Sequence, residues 1–254
     1  MYELPTQPQL LTKILEDSVK LFIFFMPKIL PLVLADVVLS SLFHLVMPDL
    51  NSLEYTVIIT TMMDSFVYAF LYMLITLVLH TAIFYRIGAM INQFDMGNLE
   101  ALSQSIKKLG PIFLATGFYT FLVGIGLMAF VIPGAILAIS LRFFTPLILF
   151  EYATVIDSLQ RSHKLVWDNW LRTAIILSIP LSFTMFVGLT FSGFVEDLFT
   201  TTFVKEQVEL LMQLTYLTID RLLTPFFYAI ILLQYYDLKR RTQTPDLDEK
   251  YFVA

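Results

Sequence analysis

The chain has no cysteine, 9 glycines and 3 histidines in 254 residues, and charged side chains make up only 15% of it, where a soluble domain carries about 25%. Without cysteine there is no disulfide, no thiolate nucleophile and no cysteine-ligated metal. His44, His80 and His163 are far apart in sequence and expected depth, which argues against a histidine metal site. The one Gly-x-Gly, Gly124-Ile-Gly126, lacks the third glycine and the strand context of a dinucleotide loop. No nucleophile or base stands beside an orienting partner in a recognised catalytic motif, and no selectivity-filter loop or arginine array marks a channel. Neither an enzyme, a cofactor nor a nucleic-acid partner is expected.

What is present in excess is apolar. Hydrophobic residues are 57% of the chain and the mean hydropathy is +0.76, which excludes disorder and argues against a soluble globular protein. Apolar runs at about 24–47, 62–85, 111–132, 133–150, 172–193 and 216–236 predict six membrane spans. The third and fourth are divided only by Pro133-Gly134, read as a tight hairpin turn. The expected fold is therefore an all-α polytopic membrane bundle. Residues 1–241 form a single membrane domain and 242–254 a flexible cytoplasmic tail. The first run is too long for a cleavable leader and is expected to stay as an anchor.

Charge supports the count. Thirteen of the 16 Lys and Arg lie on the inner side or at the inner edge of the spans: preceding or entering span one, between spans two and three, between spans four and five up to Arg172, or after span six. The alternate connections hold Asp49, Glu54, Glu196, Asp197, Glu206 and Glu209, with Lys205 as their single base. Basic loops remain cytoplasmic, so both termini are expected there. Trp167, Trp170, Tyr235 and Tyr236 fit an inner aromatic belt.

The segments before spans one, three and five share Leu-x-x-Ser-x-Lys: Leu15, Ser18 and Lys20; Leu102, Ser105 and Lys107; Leu159, Ser162 and Lys164. On a helix Leu and Ser share a face and Lys lies roughly 200° from Ser. The pattern predicts three short cytoplasmic interfacial helices, each opening a unit of two spans, in a threefold parallel repeat. In the middle copy Leu99, Leu102, Ile106 and Leu109 form the apolar stripe and Asn98 is the expected N-cap. Lys20, Lys107 and Lys164 are the candidate contacts to phospholipid head groups.

Ionisable residues at membrane depth are functional candidates by default. They are Asp36 in span one, Asp64 and His80 in span two, Arg142 in span four, and Asp220 with Arg221 in span six. Two readings of Arg142 stay open, an ion pair with Asp36 and a guanidinium that snorkels to the outer interface. Asp64, Tyr68, Tyr72, Thr76 and His80 recur every four residues as a slowly winding polar stripe, echoed by Asp220, Thr224 and Tyr228. That stripe reads either as a hydrated path or head-group pocket, or as interhelical hydrogen bonding in an inert bundle. Thr116, Thr120 and Gly124 have small-x-x-x-small spacing and predict close helix contact.

Ile132-Pro133-Gly134-Ala135, Thr145-Pro146, Glu151, and the run from Ser158 through Ser162, Leu165, Asn169 and Trp170 form a connected pattern. Over about residues 131–172 it resembles the YciC-type bacterial inner-membrane proteins and the related membrane domains found beside some glycerophosphodiesterases. The resemblance implies a six-span bacterial inner-membrane protein and brings no catalytic residues. Two functions are expected from these readings together. One is a non-catalytic envelope protein that engages phospholipid and other inner-membrane proteins. The alternative is a small secondary transporter with a polar midplane site.

Overall fold

The computed structural model describes residues 7–47, 55–94, 96–200 and 203–242; side chains of residues 55–62 and 64 lie outside the description. The connection with Asp49 and Glu54, and the tail from 243 onward, lie outside the described residues. Among those described there are nine helices and no strand: α1 (Leu11–Val46), α2 (Tyr55–Ile91), α3 (Asn98–Lys107), α4 (Leu109–Ala129), α5 (Val131–Ser140), α6 (Phe144–Phe150), α7 (Val155–Trp167), α8 (Trp170–Phe199) and α9 (Lys205–Arg241). Six stretches are long and apolar enough to cross a membrane: α1, α2, α4, α5 with α6, α8 and α9. This is the architecture of a multi-pass membrane protein.

Burial has the polarity of such a bundle. Leu34, Val38, Phe66, Phe121, Phe186 and Phe194 are all exposed, an apolar outer surface that water would not tolerate on this scale. The buried face of α1 recurs at three- and four-residue steps through Ile14, Ser18, Leu21, Phe25, Ile29, Val33, Asp36 and Ser40, the single stripe a helix presents to its neighbours. Asp36 is thus held on the inward side by its register with the apolar residues. The central element is α9, which packs on α1, α2 and α8 and is buried without interruption from Tyr228 to Leu238.

The helices α1, α2 and α9 have 36, 37 and 37 residues, about 55 Å at 1.5 Å per residue, more than a hydrocarbon core of about 30 Å. In α1 the excess reflects the missing boundary between the first interfacial segment and span one. Nothing between Leu15 and Phe25 interrupts a helix, so the first of the three expected short helices is simply the start of α1. In the other copies a real break occurs, at Lys108 before Gly110-Pro111 and at Asp168-Asn169.

The face split holds in all three copies. Ser18, Ser105 and Ser162 are fully buried and Lys20, Lys107 and Lys164 are exposed. Ser18 Oγ donates to the Ile14 carbonyl and Ser105 Oγ to the Ala101 carbonyl, each at 2.7 Å. The details of α3 differ from expectation. Ala101 and Ser105 are its buried residues, while Leu99 and Ile106 face outward. The N-cap is Gly97; Asn98 instead donates its side-chain amide to the Lys28 carbonyl at 3.0 Å, because α3 docks on α1 at its first turn.

The α4–α5 turn falls at Phe130, which is extended with φ −163° and ψ 153°. Pro133 sits in the first turn of α5, where a helix needs no N–H donor, so the reversal comes three residues before the Pro-Gly pair. What that pair contributes is proximity: a Cβ on Gly126 would lie 2.9 Å from Gly134 Cα, and one on Gly134 would lie 2.5 Å from Leu127 side-chain atoms. Gly124, by contrast, faces open space. The expected small-residue contact is therefore made by Gly126 and Gly134. Nor do Tyr235 and Tyr236 belong to an aromatic belt. Both are buried, with Tyr235 donating to Glu151 and Tyr236 accepting from Asn92.

Candidate functional site

Asp36 is 1% exposed and meets two bases from two other helices. His80 Nε2 of α2 lies 3.0 Å from Asp36 Oδ2, and Arg221 Nε of α9 lies 3.7 Å from the same oxygen. Arg221 Nη1 is also 3.2 Å from His80 Nε2, so a hydrogen on Nε2 serves Asp36, whereas a bare Nε2 accepts from Arg221. Arg221 Nη2 donates to the Tyr72 hydroxyl at 3.4 Å, and Tyr72 donates to Ser40 at 3.1 Å. The expected Asp36–Arg142 pair is replaced by this cluster. Depth matched Asp36 with Arg142, but the central position of α9 turns Arg221 onto the same face instead.

The polar stripe of α2 faces α1 and α9 from Tyr72 to His80. Tyr72 stacks on Phe43 with ring centroids 3.9 Å apart, and His80 meets the Tyr228 ring edge-on at 6.1 Å. Tyr68, one step outward, is exposed, since the four-residue drift carries it off the contact face. The Asp64 side chain lies outside the described residues.

Arg142 sits where the fourth span is interrupted. The helix stops at Ser140 and resumes at Phe144, and the interruption is tied to α7 by one side chain. Ser162 Oγ donates to the Ser140 carbonyl at 2.8 Å and accepts the Phe143 N–H at 3.0 Å, supplying partners that a broken helix lacks. Tyr119 donates to the Ala138 carbonyl at 3.2 Å. The Arg142 guanidinium lies 5.0 Å from the centre of the Phe227 ring. Among the described residues no carboxylate lies within ion-pair distance of it. An arginine at membrane depth costs roughly 2.5–3.5 kcal/mol on the insertion scale, and the ring recovers only part of that.

Arg142 also lines a cavity of about 220 Å³ between α2, α4, α6 and α9, with His80, Thr116, Thr120, Thr145 and Tyr228 on its wall. Tyr228 is the point of convergence. Arg142 lies with it on the cavity wall, and His80, which meets its ring, also touches Asp36 and Arg221. Four of the six nominated intramembrane residues, Asp36, His80, Arg142 and Arg221, are thus gathered beside one tyrosine.

Two further carboxylates, Glu151 and Asp237, are buried and paired, which the sequence reading did not anticipate. Glu151 accepts from Tyr235 and pairs with Arg161 and, at 3.0 Å, with Lys239. Asp237 pairs with Arg172 at 3.3 Å and Arg241 at 2.6 Å, and its Oδ1 accepts the Gln9 N–H. Both stand at ends of spans, where charge is expected to be solvated; the four-residue step from Asp237 to Arg241 was the one available signal. Asp237 ties α8 and the residues before α1 to α9, and Glu151 ties the end of α6 and α7 to α9.

Lys107 and Lys164 project outward, and Lys20, also exposed, is paired with Glu16. Lys108, between α3 and α4, lies 4.0 Å over the Tyr152 ring, and burial holds its amine below the ordinary lysine value. The histidines are separate: His44 hydrogen-bonds Gln213 at 2.7 Å and His163 packs on Trp167. Among the described residues no three His, Cys, Asp or Glu gather to hold a metal.

The family model described as a domain of unknown function, DUF7847, matches residues 6–238. No curated protein and no solved structure matches the chain.

Proposed function

The chain belongs to the DUF7847 family, a domain of unknown function, and from its geometry we propose a non-catalytic multi-pass protein of the bacterial inner membrane that engages phospholipid at its basic end. The observation that carries this reading is the thrice-repeated placement of a buried serine and an exposed lysine at the start of a span. Lysine at an anionic leaflet gains about 1 kcal/mol each. The basic end then faces the cytoplasm. The YciC-like pattern over 131–172 supports the same reading, and its Glu151, Ser162 and Trp170 have structural partners in Arg161, Ser140 and the Ile136 carbonyl.

The test is reconstitution in phosphatidylethanolamine nanodiscs containing phosphatidylglycerol, with spin-labelled lipids reporting the protein-bound shell. Enrichment of phosphatidylglycerol that falls by more than half in the Lys20→Gln, Lys107→Gln, Lys164→Gln triple variant supports the reading; a shell with the bulk composition overturns it. Because the chain has no cysteine, single Lys107→Cys and Lys164→Cys variants report sidedness directly in intact cells. Labelling by an impermeant maleimide without lysis would reverse the orientation.

A second reading, a small secondary carrier, is favoured by the cavity at Arg142. It predicts that Arg142→Leu or Asp36→Asn abolishes solute uptake in proteoliposomes while leaving the bundle folded.

A further inference from the structure

We propose that the cavity at the α5–α6 interruption is an anion-binding site in which Arg142 is the cation and the ligand is a single phosphate or carboxylate group. This goes beyond lipid contact at the basic end and is independent of it.

The charge distribution points to an anion. Arg161, Arg172, Arg221 and Arg241 each face a buried carboxylate, Glu151, Asp237, Asp36 and Asp237 respectively. Arg142 faces the cavity without one. Asp36, the partner that depth along the helices suggests for it, is already held by His80 and Arg221. Asp220 is half-buried and forms no ion pair with Arg142 among the described residues. A guanidinium offers five N–H donors in a planar fork that matches a carboxylate or phosphate.

The neutral lining supplies more donors. Thr173, Thr190, Thr218 and Thr224 commit their hydroxyls to the carbonyl four residues back. Thr116, Thr120 and Thr145 on the cavity wall make no hydrogen bond to the protein among the described residues, nor does the Tyr228 hydroxyl, so these donors are left for an occupant. Geometry fixes the cation in place: its neighbours Ser140 and Phe143 are both held by Ser162, as discontinuous helices in transporters present polar groups at depth. Size limits the ligand. At about 220 Å³ the cavity falls below the roughly 300–1,000 Å³ of pockets for drug-sized molecules. It admits one small anion or one head-group phosphate, with the rest of any lipid outside.

The test uses the full chain in neutral detergent, with thermal unfolding followed as inorganic phosphate, acetate, or dihexanoyl-phosphatidylglycerol is added over a constant chloride background. A saturable rise in Tm is expected in the wild type, with affinity at least tenfold weaker in Arg142→Gln and intermediate in Arg142→Lys, which keeps the charge but not the planar fork. A response to phosphate or acetate identifies a free anion; a response to the short-chain lipid alone identifies a head group. Should Arg142→Gln not fold, the Thr116→Val, Thr120→Val double variant keeps the charge and is expected to weaken binding about fivefold. The absence of any saturable shift in the wild type overturns the proposal, as does an unchanged shift in whichever of these two variants folds.

Discussion

The Ser162 hydroxyl of α7 donates to the Ser140 carbonyl and accepts the Phe143 N–H, so one side chain closes both ends of a gap in another helix. Ser18 and Ser105 occupy the same place in their copies but bond only within their own turn. Ser162→Ala leaves two buried backbone groups unpaired and is expected to cost about 1–3 kcal/mol, whereas Ser18→Ala and Ser105→Ala should cost under about 1 kcal/mol. Denaturant unfolding of the three variants in micelles checks the order; equal losses would mean that the bridge contributes nothing special.

Asp36 belongs to Arg221 and His80. Arg221→Met strands a buried carboxylate and should cost about 3–5 kcal/mol, much of which returns in the Asp36→Asn, Arg221→Met double variant. A double-mutant cycle should give a coupling above about 0.5 kcal/mol for Asp36 with Arg221 and a smaller value for Asp36 with Arg142. The reverse ranking would restore the pairing suggested by depth alone.

The hairpin glycines are expected to separate sharply. Gly126→Ala and Gly134→Ala place a Cβ inside the opposing helix and should destabilise by about 1–3 kcal/mol. Gly124→Ala meets nothing within 4 Å and should stabilise by up to about 1 kcal/mol through helix propensity. Thermal unfolding of the three single variants suffices.

Burial lowers the Lys108 amine below its ordinary value of 10.5. A base depressed in the folded state binds fewer protons there than in the unfolded chain. Its contribution therefore becomes more favourable as pH rises through the window below 10.5. Residue-resolved acetylation by mass spectrometry should show Lys108 reaching half-maximal reactivity below 10.5; a midpoint at or above that value would mean that burial leaves the amine unshifted.

Periodicity and charge sign made much of this bundle legible: six spans, the segregated bases, the serine-inward and lysine-outward copies, and the run of the α2 stripe from Tyr72 to His80. What composition along one chain does not encode is azimuth between chains of residues. Asp36 and Arg142 match in depth, yet the partner is Arg221, whose direction depends on how α9 seats between α1 and α2. The interruption at Leu141-Arg142-Phe143 carries no proline or glycine. Its local signal is Pro146, which has no N–H for the Arg142 carbonyl and whose ring crowds it, but nothing local announces that a serine about 20 residues later bridges the gap. The burial of Glu151 and Asp237 is not legible either, because burial at a span terminus arises only after helices distant in the chain meet there.

The uninterrupted burial of α9 from Tyr228 to Leu238 bears on the order of assembly. The helix at the centre of the bundle follows the other eight in the chain, so they must wait with an unfilled seat between α1, α2 and α8. Until α9 enters, Asp36 has no Arg221 and Glu151 has no Lys239. Completion of the core therefore also completes the pairing of these carboxylates, which until then face only His80 and Arg161.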